Sequence, residues 1–215
     1  IITMPFRLIT LIVISIPLFL SADDRANELN YAKGLINTNI FSNNSFQSHF
    51  EQIMRDEQGE IIDKMDGTIS IMKPDNFRWH YKNPYEQIII GNGVKLISYD
   101  IDLNNINIRD YRSINNTVPI IMLKSDEDSV NDLKLINSYY DSNNLFWVTV
   151  QYQLSNNDEF VFDVAFSNKV IAKMLIKDSL NQDMIINFIN PVINTKLDSD
   201  LFDIEAMLLK SEIGQ

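Results

Sequence analysis

A chain of 215 residues with 29 acidic and 18 basic side chains carries a formal charge of −11, which excludes capture of nucleic acid phosphates or anionic membrane surfaces by excess lysine and arginine. It has no cysteine, so the fold must stand on a packed core, and a lipid-modified cysteine cannot anchor the mature chain. Two histidines, His49 and His80, cannot supply a conventional zinc site or a catalytic trio of nitrogen and sulfur ligands on their own.

In chain order, Arg7 precedes an uncharged run from Leu8 to Leu20, closed by Ser21-Ala22 ahead of the acidic pair Asp23-Asp24. The run is shorter than the ~20 residues of a membrane span, Pro17 lies near its end, and a small residue sits at the cut position. This is the pattern of a secretory signal peptide over residues 1–22, with Met4 as the start and cleavage after Ala22. Residues 23–215 are expected to form a single domain of charge −12 once Arg7 is removed, and no Pro/Gly/Ser-rich linker divides them.

From Asp24 to about Phe41, the residues Leu29, Ala32, Leu35 and Ile36 recur at helical spacing behind an acidic cap, which predicts one amphipathic helix. The period then changes to two. Phe46, Ser48, Phe50, Gln52 and Met54 share a strand face, and a turn at Asp56-Glu57-Gln58-Gly59 leads to a strand that groups Met65, Gly67, Ile69, Ile71 and Lys73. Pro74-Asp75-Asn76 turn the chain into the next strand, with Phe77, Trp79 and Tyr81 on one face. Such a hairpin is either ordinary core or the wall of an apolar cavity with a lone cation beside it.

Strands follow at Gln87–Gly91, Val94–Asp100 and Ile106–Tyr111, with Asn92-Gly93 as a hairpin turn. Thr117-Val118-Pro119 then reads as the start of a helix through Ile120, Ile121, Met122 and Leu123, and a second short helix is expected from Asp128. A surface segment that apolar covers something. Strands resume at Lys134–Tyr140, Leu145–Leu154, Glu159–Phe166, Val170–Lys177 and Met184–Asn190, with Phe160, Phe162, Val164 and Phe166 on one face. The whole predicts a mainly β (α+β) domain, a meandering antiparallel sheet curled toward a barrel and plugged by helix.

Chemistry is sparse. Asp100, Asp102 and Asn104 imitate the opening of a calcium loop, but Asn105 replaces its glycine and Tyr111 its bidentate glutamate. Asp126-Glu127-Asp128 reads as a solvated loop and cap, and neither a nucleophile elbow nor a phosphate-binding glycine loop is present. Nothing singles out a carboxylate pair. No catalytic residue, metal ligand or cofactor site is expected, and the chain is not read as an enzyme.

Seven elements occur in order: the signal peptide, the first helix, F-x-S-x-F-x-Q (Phe46 to Gln52), G-x-I-x-I-x-K-P-x-x-F-R-W-x-Y (Gly67 to Tyr81), P-x-x-Q (Pro84 to Gln87), G-x-x-L-x-x-Y-D-x-D-L (Gly93 to Leu103) and T-x-P-x-x-x-L (Thr117 to Leu123). Together they resemble LolA, the periplasmic outer-membrane lipoprotein carrier family. After about Lys134 only the strand pattern agrees. The resemblance implies an incomplete β-barrel with an N-terminal helix and an apolar helical lid over the concave face. It implies a soluble, monomeric periplasmic carrier that accepts lipoproteins from an inner-membrane ABC transporter and delivers them to an outer-membrane receptor.

On that resemblance Phe46, Phe50, Ile69, Ile71, Phe77, Trp79 and Tyr81, with the lid residues Ile120, Ile121 and Leu123, are expected to line the acyl-chain cavity. LolA proteins commonly carry arginine where this chain has Lys73, and in the family that residue latches the lid through carbonyl groups of the helical segment. Lysine offers three donors on a flexible stem against arginine's five in a fixed fork, so a looser latch is expected. The same half-barrel could instead carry another amphiphilic lipid, and a secreted hydrolase with an unrecognised acid pair is the alternative from a different class.

Overall fold

A computed structural model describes residues 22–111, 133–153, 159–177 and 181–213. The signal-peptide reading, the lid helix with Ile120, Ile121 and Leu123, and the short helix expected at Asp128 fall largely or wholly outside these residues. The first helix, α1, spans Ala22–Ile36. Its continuation to Phe41 is not α-helical as the spacing suggests, because Asn37–Phe41 forms a π turn. The cause is side-chain competition. Asn39 Nδ2 donates back to the Leu35 carbonyl at 2.9 Å, and Asn43 Nδ2 reaches the Asn39 carbonyl.

Among the described residues eleven strands follow: β1 (Ser45–Arg55), β2 (Ile61–Met72), β3 (Asn76–Asn83), β4 (Gln87–Asn92), β5 (Lys95–Asp100), β6 (Asn105–Asp110), β7 (Leu133–Tyr140), β8 (Phe146–Gln153), β9 (Glu159–Ser167), β10 (Val170–Lys177) and β11 (Asp183–Ile193). They make one open antiparallel sheet in the order β6-β5-β4-β3-β2-β1-β11-β10-β9-β8-β7. Every neighbouring pair but one is consecutive in sequence, and the exception is the first strand against the last. Among the described residues the edge strands are β6 and β7, which are consecutive in the chain.

The β1–β11 seam was not legible in either strand. It pairs Phe50 with Phe188 and Phe46 with Ile193, and its register slips between Gln47 and His49. On the β11 side Asn190 takes a left-handed φ of 52° beside Pro191, which has no N–H for a ladder. At the β9–β10 hairpin both Asn168 and Lys169 have positive φ, at 49° and 68°, as a two-residue primed turn requires. The reversal after β4 centres on Gly93, φ +80°, while Asn92 Oδ1 accepts from the amides of Val94 and Lys95 at 3.1 and 2.9 Å.

Alternation places the main core on the inner face of the sheet. α1 lies against it with Ala32, Leu35 and Ile36 buried. Tyr31 of α1 packs on Phe146 at 5.3 Å, and Glu28 accepts a hydrogen bond from Ser138 of β7 at 2.7 Å. A second, smaller core sits on the outer face. There Ile88, Ile90 and Ile97 meet Ile204 and Met207 of a helix, α2 (Ile204–Ile213), that the sequence reading did not anticipate. β4 therefore buries both faces at its middle, which explains its unbroken Ile88-Ile89-Ile90. The signal for α2 was its cap: Asp203 Oδ1 accepts from the Ala206 amide at 2.9 Å, with Glu205 in the first turn.

Candidate functional site

The aromatic hairpin takes its geometry from register. Phe50 of β1, Gly67 of β2 and Tyr81 of β3 stand side by side, as do Phe46, Ile71 and Phe77. Paired residues point to the same face, so the three strands present one wall. A Cβ on Gly67 would lie 1.9 Å from the His80 carbonyl oxygen, where the β2–β3 register shifts, so no larger residue fits. With that column empty, Phe50 and Tyr81 meet across it edge to face at 5.4 Å. Trp79 completes the cluster, 4.8 Å from Phe50 and 6.0 Å from Tyr81.

Phe46, Phe50, Ile69, Ile71, Phe77 and Trp79 are all buried in a single cluster, and Tyr81 packs against it half-buried. These seven therefore lie together on one apolar surface in the described residues. The far half of that surface comes from β8–β11, where Phe146, Val148, Phe162, Phe166, Met174 and Phe188 face the same way. The alternation at Phe160–Phe166 does not by itself join this half to the wall. Only the β1–β11 pairing, seen for instance in the 5.3 Å edge contact of Phe46 with Phe188, connects the halves.

Polar atoms inside this face are few. The Tyr81 hydroxyl donates to Gln52 Oε1 at 3.1 Å, and Gln52 is itself buried. Burial raises the Tyr81 pKa above the ordinary value of 10, the Gln52 hydrogen bond opposes the rise and Asp63 adds to it, so the phenol stays protonated. Tyr111, 6.4 Å from Phe77, is likewise pushed up to about 12 by burial and by Asp75. The buried indole N–H of Trp79 has no hydrogen-bond partner among the described residues.

Lys73 lies in the turn between β2 and β3 and reaches back to the π turn. Its ammonium donates to the carbonyls of Ile40 and of Phe41, the latter at 2.7 Å. These acceptors belong to the end of the first helical segment. The lid segment to which the family resemblance assigned the latch lies outside the described residues. The opposite side of the same turn is held by Asn39. Its Nδ2 donates to the Lys169 carbonyl and its Oδ1 accepts from the Ile171 amide, each at 3.0 Å. The helix over the wall is thus pinned to β2–β3 by one residue and to β9–β10 by another.

The outer face is different. A cavity of about 710 Å³ opens between the sheet and the chain after β11, lined by Gln47, His49, Thr68, Ser70, Arg78, His80, Asp198 and Asp200 among others. Both histidines lie here, on the polar side. His80 Nε2 is 2.8 Å from Glu86 Oε1, and Arg78 donates to the Leu201 carbonyl at 3.4 Å. The calcium-like acids form an ordinary turn: Asp100 Oδ1 accepts from the Leu103 amide at 3.0 Å and Asp102 Oδ2 from the Glu86 amide at 3.3 Å. Among the described residues no group of three His, Cys, Asp or Glu could hold a metal, and no helix is long and apolar enough to cross a membrane.

These features define a class: an open antiparallel half-barrel with an aromatic and aliphatic inner wall under an N-terminal helix. The family model for "Outer membrane lipoprotein carrier protein LolA" matches residues 42–205. The chain belongs to that family. A Coxiella burnetii protein named outer-membrane lipoprotein carrier protein is 31% identical over 162 residues, covering 74% of this chain and 75% of that one. One of the same name from Nitrosomonas europaea is 25% identical over 197 residues, covering 91% and 93%. A crystal structure of a LolA superfamily protein from Nitrosomonas europaea overlaps 82% of this chain and 98% of its own at 10% identity and a TM-score of 0.49.

Proposed function

We propose that this chain is a periplasmic lipoprotein carrier that shelters acyl chains against its inner wall. In this reading residues 1–22 are the export signal and residues 23–215 the carrier domain. Cargo comes from an inner-membrane ABC transporter and goes to an outer-membrane receptor. The observation that carries the proposal is the continuous apolar inner face of an unclosed sheet, running from Phe77 and Trp79 across the β1–β11 seam to Phe162 and Phe166. A wall of this kind suits hydrocarbon and offers nothing to a hydrolytic reaction.

The energetics fit a carrier fed by a driven transporter. Each methylene buried gains ~0.8 kcal/mol, so three long acyl chains in water cost roughly 30 kcal/mol. Non-covalent pockets saturate near roughly −18 to −21 kcal/mol. Cargo must therefore be loaded directly and need not be held at the limit of affinity. Release requires only a receptor that holds the lipid better. The wall is buried as it stands, so loading requires the segment above it to shift, and Lys73 restrains that shift. Lys73→Arg, with five donors in a fixed fork, is expected to slow release.

The test is to add purified residues 23–215 to spheroplasts of a Gram-negative cell that retain newly made lipoproteins. Soluble one-to-one complexes are expected. No release, with a matched carrier active alongside, together with a different co-purified lipid by mass spectrometry, would overturn the lipoprotein reading.

A further inference from the structure

The chain has two tryptophans, and their N–H groups are treated in opposite ways. Trp147, near the start of β8, donates to Asp141 Oδ2 at 3.0 Å. Trp79 is 4% exposed, in the middle of the wall, and among the described residues its N–H has no partner. A neighbouring polar group on the wall, the Tyr81 hydroxyl, is already donating to Gln52. Buried polar groups are nearly always paired, and an indole nitrogen can only donate. A purely hydrocarbon wall would be better served there by phenylalanine, which keeps the stacking against Phe50 and strands no donor. The position asks for an occupant that brings an acceptor.

We infer that the Trp79 N–H binds the carbonyl oxygen at the head of a bound acyl chain, whether ester or amide. The inference rests on the inner face being the acyl-chain site. Hydrocarbon slides along an apolar wall with little preference for position, whereas a single donor at mid-strand of β3 fixes where the carbonyl stops and so how deep the chain lies. Trp79 is then the residue that sets the register of the cargo, and ether-linked chains of equal length are bound less well because they lack the carbonyl.

The test titrates the full protein with dioctanoylglycerol (ester), N-octyloctanamide (amide) and the dioctyl ether of glycerol, following the two indole N–H signals by ¹H–¹⁵N spectroscopy and measuring each affinity. The Trp79 signal is expected to move downfield with ester and amide and to stay near its starting position with the ether, while the Trp147 signal stays fixed. Trp79→Phe is expected to weaken the two carbonyl lipids about tenfold and the ether less than about twofold, the scale of one buried hydrogen bond. If only one of ester and amide shows the effect, that one is the head group read. Equal movement of the Trp79 signal with all three, or equal loss of all three on substitution, overturns the inference and leaves the acyl-chain site intact. The spectrum of the unsubstituted protein decides even if the variant folds poorly. Binding of none of the three overturns the acyl-chain site itself.

Discussion

Asn39→Leu is the substitution whose consequence can be worked most fully. Asn39 is 1% exposed and joins the turn after α1 to the β9–β10 hairpin through two hydrogen bonds of 3.0 Å. β10 pairs with β11 only from Lys173 onward, so Ile171 lies beyond that ladder and gives its amide to Asn39 instead. Leucine preserves volume and removes both partners. The Ile171 amide, on a residue 1% exposed, cannot turn to water. Stranding it costs about 1–3 kcal/mol, and the Lys169 carbonyl, on an exposed residue that water can reach, adds at most about 1 kcal/mol. The expected loss is about 1–4 kcal/mol, or about 2–16 °C in melting temperature for a domain of this size. Urea unfolding followed by circular dichroism reads it directly, as a lowered midpoint at unchanged m-value. A loss under about 0.5 kcal/mol would refute the reasoning, because the turn would then be held by its apolar contacts alone.

Three further outcomes are expected. Gly67→Ala places a Cβ 1.9 Å from the backbone oxygen of His80, which no rotamer relieves, so thermal unfolding of this variant should fall further than for Gly34→Ala, where the added Cβ meets nothing within 4 Å. Met207→Ala removes a 7% exposed side chain from the small outer core and should cost about 2 kcal/mol or slightly more by chemical denaturation. Burial holds the Lys73 ammonium down from 10.5 to about 8. The folded protein gives up this proton before the unfolded chain does, so Lys73's contribution to stability rises with pH across that interval. Stability profiles of Lys73→Met and the unsubstituted protein should therefore differ in slope between about pH 8 and 10.5, and parallel profiles would contradict this assignment.

How much of this was readable in advance follows from the range of each interaction. The β2–β3 hairpin was legible because its turn at Pro74-Asp75 and its alternation at Ile69, Ile71, Phe77 and Trp79 are local. The same holds for β4–β5, whose Gly93 turn announces itself. The seam between Phe50 and Phe188 was not legible, since either strand pairs equally well on sequence with several others. The acceptors of Lys73 lie 33 and 32 residues upstream, in carbonyl groups that every residue possesses. Asn39 looked like a polar residue on a helix face, and its role appears only when Ile171 arrives beside it. α2 was overlooked because Met207 and Ile204 have meaning only against the outer Ile90 and Ile97, a face that alternation on a one-sided sheet would leave polar.

The most direct measurement uses two neighbouring residues of β3 that point to opposite faces, Tyr81 on the inner wall and His80 on the outer cavity. A photo-crosslinking phenylalanine is placed at each in turn, and the protein is irradiated with an acylated lipoprotein and with the same protein lacking its acyl chains. The account predicts crosslinks to the acylated cargo from position 81 and none from position 80, and loss of the position-81 crosslink without acyl chains. Crosslinking from position 80, or from position 81 regardless of acylation, would contradict it.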